Sequence, residues 1–211
     1  MKKAKKKPDG LKEEKHHKRI AAAEKKALKA SVDSSVIQRL WELVSLFPKV
    51  TDPRLERRVE HFILNAAPGQ FFVMQQVLAD RLSPLLAEDE RVRQVLCALE
   101  GKCIGLAITG EYESTLTFKS DCLAAQRGLR DHVPVISAES RRDYADAILN
   151  IKDPVKLILG RRIRATHKFT LLRWGLPHLD IIRDKSLLEK YLSYQPEIEQ
   201  ILEDTLTRMG Y

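Results

Sequence analysis

The sequence is sparing with cysteine, glycine and aromatic residues, and each shortage narrows what the chain can be. Its three cysteines, Cys97, Cys103 and Cys122, form no CxxC pair and are odd in number. That argues against a disulfide framework and for a reducing, cytoplasmic setting in which the thiols pack as small hydrophobes. No apolar run approaches the roughly 20 residues needed to span a bilayer. The N-terminal lysines are not followed by the apolar segment of a secretory signal. The nine glycines are scattered, and they make neither a P-loop nor a GxGxxG turn. Neither a nucleophile elbow nor an HExxH motif is present.

The six histidines are His16, His17, His61, His132, His167 and His178. None is spaced from another His, Cys or carboxylate as metal ligands are. His61 falls in a helical stretch, where a half-buried structural role is expected. His167 and His178 flank Trp174, within reach of any ligand bound there. Glu111, Glu113 and Asp121 fall in turns, where acidic residues are common, and suggest no catalytic pair. The expectation is a protein that is not an enzyme and has no cofactor or metal.

What the chain does have is apolar content, 44% of 211 residues, which is enough for a real core. Its net charge of +8 is local. Residues 1–30 hold 12 Lys or Arg against 4 Asp or Glu, and residues 31–211 hold 25 of each. Residues 1–30 therefore read as a basic disordered tail. Such a tail can meet an anionic membrane surface, bind nucleic acid, or serve solubility alone. It has no interleaved aromatics on which bases could stack, which argues against nucleic acid.

From residue 31 to 98 the periodicity is helical. Val36, Leu40, Leu43 (or Val44) and Phe47 predict a first helix after a Ser34 or Ser35 cap. Leu55, Val59, Phe62 and Ile63 predict a second, from Pro53 to the break at Pro68-Gly69. Phe71, Phe72, Met74, Val77, Leu78 and Leu82 predict a third with a broad apolar surface, ending near Pro84. That surface is either buried in the chain's own core or docks a partner or a second copy. Val92, Val95, Leu96 and Leu99 predict a fourth helix.

At Gly101 the period shortens to two. Residues 104–108, 115–119 and 122–126, joined by tight turns, predict an antiparallel meander, and residues 133–137 predict a fourth strand. A helix then starts after Ser140, with Tyr144, Ala147, Ile148 and Ile151 on one face. Asp153-Pro154 opens another, which Gly160 ends. Residues 161–166 predict a last strand, residues 169–179 a strongly apolar segment, and the C-terminus one amphipathic helix kinked or split at Pro196.

In this order the segments LEGKCIGLAIT, STLTFKSDCLAA and VPVISAESRRDYADAILNIKDPVKLILGRRIRATHKF resemble the sterol-carrier (SCP2-like) domain family. Asp153-Pro154, Gly160, Arg161 and Ile163 match in place, while Ala165-Thr166-His167 stands where the family has a glycine-aspartate turn. The resemblance runs from about Leu99 to Leu179, and residues 99–211 are taken as an SCP2-like α+β lipid-binding domain with a C-terminal helix. It implies a mainly antiparallel five-stranded sheet covered by helices, with an apolar tunnel between them. Members bind sterols, acyl chains or phospholipids, and some bacterial members are accessory proteins of ubiquinone biosynthesis. A lipid or isoprenoid ligand would then line up with Leu106, Ile108, Leu116 and Phe118 of the sheet. From the helices it would meet Tyr144, Ile148, Leu157, Ile158, Phe169, Leu172 and Trp174. The reading set beside it is a structural protein-interaction module built on the same scaffold. For the carrier, a cytoplasmic location peripheral to the membrane is expected.

Overall fold

The computed structural model describes residues 50–120, 122–175 and 184–211. The basic tail and the helix expected over Val36–Phe47 lie outside the described residues, as does His178. Helix α1 (Pro53–Asn65) starts where Asp52 accepts the Arg54 amide at 2.8 Å, with Pro53 in the first turn. Helix α2 (Pro68–Ala87) opens with the Gln70 side chain accepting the Ala67 amide at 2.8 Å. Helix α3 (Glu90–Ala98) follows. Then come β1 (Cys103–Ile108), β2 (Tyr112–Phe118), β3 (Leu123–Arg127) and β4 (Val135–Ala138).

Ser140 caps α4 (Arg141–Ile148), its hydroxyl accepting the Asp143 amide at 3.2 Å. The chain continues through α5 (Pro154–Leu159), β5 (Ile163–Ala165), α6 (Lys168–Gly175), α7 (Lys185–Ser193) and α8 (Gln195–Met209). Pro196 lies in the first turn of α8 and marks the split between α7 and α8. Gly210 at φ 83° closes α8 in the left-handed conformation that suits glycine.

The strand order is β3-β2-β1-β4-β5. The meander β1-β2-β3 is antiparallel, but β4 joins β1 in parallel, so the sheet is mixed and the mainly antiparallel sheet expected from sequence is corrected. The chain between Arg127 and Val135 carries β4 across to the far side of β1, so that both strands run the same way. Edge strand β5 closes the sheet antiparallel to β4. Pro84 does not end α2, which runs on to Ala87. The amide missing at Pro84 leaves unbonded only the carbonyl one turn back, at the exposed Asp80.

The register sorts the sheet into two chemically distinct faces. On one, Ile104, Leu106 and Ile108 stand beside Leu116, Ser114 and Tyr112, with Ile136 next to Leu106 and Ala138 next to Ile108. The other carries Cys103, Gly105, Ala107, Thr115 and Thr117. The loop after β3 covers this second face. Thr115 donates to the Gly128 carbonyl (2.8 Å) and accepts the Arg130 amide (3.1 Å). Gly105 is needed there, since a Cβ would sit 2.7 Å from Leu129 Cδ2 and 3.0 Å from Val135 Cγ2.

The helices pack on the first face. Leu55, Val59, Phe62 and Ile63 of α1 and Phe71 and Met74 of α2 join Ile108, Ala145 and Leu206 in the main core. A second core sets Ala147 and Leu157 against Ala138 and Ile163. Phe71 and Met74, 6% and 7% exposed, are thus spent inside the chain. Phe71 packs on Phe62, Tyr112 and Tyr144, while Phe72 of the same helix is half-buried against Arg127.

Candidate functional site

Alternation along β1 and β2 aims one row of apolar side chains at the helices, but the helices cover that row unevenly. Ile108 is fully buried. Ile104, Leu106, Leu116, Phe118 and Leu123 are half-buried, as is Ile136 of β4. The apolar floor is therefore sealed at the Ile108 end and only partly covered toward the start of β1.

Helix α6 stands at that less covered end. The Thr166 amide bonds to the Val135 carbonyl at 2.9 Å, and Lys102 Nζ lies 5.6 Å from the centre of the Trp174 ring. Lys102 itself extends the β1–β2 ladder, its carbonyl accepting the Phe118 amide at 3.0 Å. Leu171 is buried, Leu172 and Trp174 are half-buried, and Phe169 is 62% exposed.

At the sealed end, polar groups meet the floor. The Tyr112 phenol donates to Gln75 Oε1 at 2.6 Å. Ser114, on the same face, is fully buried, with its hydroxyl beside the Tyr112 phenol. Burial raises the Tyr112 phenol above its ordinary pKa, against the lowering influence of nearby Ser114 and Arg127. Tyr144 is half-buried as a residue, yet its phenol sits deep enough for burial to push its pKa up to about 12, helped by the Tyr112 phenol beside it.

The residues marked from sequence divide into three groups. Ile108, Leu157, Tyr144 and Ile158 belong to the packed cores. Leu106, Leu116, Phe118, Leu172 and Trp174 are half-buried along the floor or on α6. Ile148 and Phe169 are exposed, at 53% and 62%. Ile104, Ile136 and Lys102 belong with the floor and were not singled out, although Ile104 has the same strand parity as Leu106. His167 is exposed at the corner between β5 and α6 with φ 48°. His61 is exposed rather than half-buried, its ring 5.7 Å from that of Tyr211.

Helix α4 also buries two carboxylates at the β4–β5 end. Asp143 accepts the Ser140 hydroxyl at 2.5 Å and pairs with Arg162 at 2.9 Å. Asp146, fully buried, is approached by Arg142 at 3.1 Å and Lys152 at 2.6 Å. Neither approach to Asp146 has hydrogen-bond geometry, so charge alone holds it. Each carboxylate faces cations on the turns around α5 and has a structural explanation. Among the described residues no group of three or more His, Cys, Asp or Glu is arranged to hold a metal ion. No helix among them is long and apolar enough to cross a membrane.

No protein-family model matches the chain, and no curated protein matches it. Among solved structures, one described as "UbiJ-SCP2 Ubiquinone synthesis protein" is similar over 62% of this chain and 99% of its own, at 11% identity and a TM-score of 0.36.

Proposed function

We propose that the chain binds the apolar part of a lipid along the partly covered sheet face and carries or presents it, with no chemistry of its own. The observation behind this reading is the gradient of cover along one apolar row, from fully buried Ile108 to half-buried Leu106, Ile104 and Phe118. An apolar sheet face is ordinarily covered by another layer of structure. One left half-covered offers an acyl or isoprenoid chain about 0.8 kcal/mol for each methylene it shelters. Lipid sites pair apolar walls with a few polar groups, and Tyr112, Tyr144 and the buried Ser114 hydroxyl supply these at the sealed end. The occupant implied by the sequence resemblance is a sterol, acyl or polyprenyl lipid, the last as an intermediate of ubiquinone synthesis.

Native mass spectrometry of the purified chain, followed by organic extraction, tests the reading directly. A stoichiometric lipid or quinone-like adduct is expected. A clean apo mass that persists when acyl and polyprenyl lipids are supplied would overturn it. Leu106→Trp should fill the floor and reduce uptake of a fluorescent fatty acid at least tenfold while the far-ultraviolet circular dichroism is unchanged.

A further inference from the structure

The chain from Ile148 to Gly175 differs from the rest of the described protein in both charge and exposure. It holds seven basic residues, Lys152, Lys156, Arg161, Arg162, Arg164, Lys168 and Arg173, against one acid, Asp153. Residues 31–211 as a whole are balanced, 25 against 25. Arg162 and Lys152 are committed to Asp143 and Asp146, and Arg164 approaches Glu139 at 3.9 Å. Lys156, Arg161, Lys168 and Arg173 form no ion pair among the described residues, and all but the half-buried Lys168 are exposed.

The same stretch exposes bulky apolar side chains: Ile148 at 53%, Ile151 at 42%, Leu159 at 67% and Phe169 at 62%. These are four of the seven large hydrophobic residues exposed among the described residues. Three corners in the stretch, Asn150, Arg161 and His167, hold positive φ of 56°, 59° and 48°. Away from glycine, and least for asparagine, such corners cost energy and are kept where the surroundings or a function require them.

The stretch follows the β5 edge of the sheet, the Arg161 corner at one end of that strand and the start of α6 at the other. Helix α5 packs between α4 and β5, and β5 is an edge strand. Helix α6 then starts against Val135 and reaches Lys102 at Trp174, the less covered end of the apolar floor. Unpaired cations beside exposed aliphatic and aromatic side chains match the two components of a bilayer interface, anionic headgroups and the acyl boundary beneath them. Nucleic acid would engage the cations but leave Leu159 and Phe169 without reward.

We propose that this β5-edge surface, Ile148 to Arg173, docks on an anionic lipid bilayer. Phe169, Leu159 and Ile151 enter the interface, while Lys156, Arg161, Lys168 and Arg173 lie among the phosphates. Its purpose, delivery of lipid to and from the floor, rests on the function proposed above; the docking itself does not require an occupied floor.

The test is co-sedimentation of the full chain with phosphatidylcholine vesicles, with and without phosphatidylglycerol, over a salt series. Wild type should bind the anionic vesicles, less so as salt rises. The double variants Lys156→Glu/Arg161→Glu and Leu159→Ser/Phe169→Ser should each weaken binding at least tenfold, as loss of two interfacial residues predicts. All four side chains are exposed, so both variants should melt within a few degrees of wild type. Every variant keeps residues 1–30, so vesicle binding through the tail alone would leave both at wild-type affinity and overturn the proposal. So would equal binding to the neutral vesicles, or no binding at all. Hydrogen exchange should also slow at residues 148–173 on vesicles, and protection confined to other segments would overturn the proposal as well. Fatty-acid uptake without vesicles separates the two readings. Face variants that lose vesicles but keep uptake support docking. Wild type that docks in a face-dependent manner but takes up no lipid sinks the floor reading alone.

Discussion

Ile108 and Leu106 sit two residues apart on one strand face, yet the first is fully enclosed and the second half-covered. Their truncations should therefore differ. Ile108→Ala should cost about 3–4 kcal/mol in urea unfolding, because the core around it collapses only in part. Leu106→Ala should cost under about 2 kcal/mol, since less area leaves water there to begin with. Equal losses at the two positions would mean that the cover is uniform. Charge makes a second residue-scale contrast. Asp146 is buried, while Arg142 and Lys152 are about half exposed. Lys152→Ala strands part of a buried charge and should cost about 1–2 kcal/mol, less than for a fully buried pair because Arg142 remains and solvent screens. Adding Asp146→Asn should recover much of that loss in a double-mutant cycle; simple additivity would mean that the pair is not coupled.

Between elements, one side chain ties helix to sheet edge. Ser83 of α2 is 3% exposed, donates to the Ala79 carbonyl and accepts the Leu123 amide at 2.9 Å. That bond anchors the start of edge strand β3, whose backbone would otherwise offer an unpaired edge. Ser83→Ala leaves the Leu123 amide without this partner and should cost about 1–3 kcal/mol. Hydrogen exchange localises the effect: exchange at Leu123 and Ala124 should rise first, while β1 stays protected. Uniform acceleration across the sheet would show that the tie has no local role. A comparable tie joins α8 to the chain entering α1. The Glu199 carboxylate accepts the Thr51 hydroxyl at 2.8 Å and Gln195 Nε2 at 2.9 Å. Desolvation pulls its pKa up, but these bonds and the Thr51 and Asp52 amides outweigh it and hold the pKa low.

For the whole molecule, the buried phenols set an alkaline limit. Tyr144 holds its proton to about pH 12 in the fold, against 10.0 for an ordinary tyrosine. The unfolded chain binds fewer protons than the native one across that window, so stability falls as pH rises through it. The stabilisation is intact below pH 10, and about 2–3 kcal/mol is lost by pH 12. Tyr144→Phe should flatten the urea midpoint between pH 10 and 12 relative to wild type, and an unchanged slope would place that phenol in water. Titration of Tyr112, raised in the same direction, adds to the wild-type slope and remains in the variant.

Local signals determined a good part of this protein. The change from helical to alternating period at Gly101, the cap at Ser140 and the prolines at 53 and 196 located the elements, because each acts within one turn of chain. The period of two in β1 also marked Leu106 and Ile108 as neighbours on one face. What needed the tertiary structure was everything that depends on a distant partner. The parallel pairing of β1 with β4 comes from a crossover, and strand periodicity is the same in either direction. Burial of Phe71 and Met74, against exposure of Ile148 and Phe169, follows from which helix meets which patch of sheet. Hydrophobicity read along the chain does not tell the four apart. Packing divides them, since Phe71 and Met74 meet Ile108 and its neighbours and are enclosed, while Ile148 and Phe169 are left exposed.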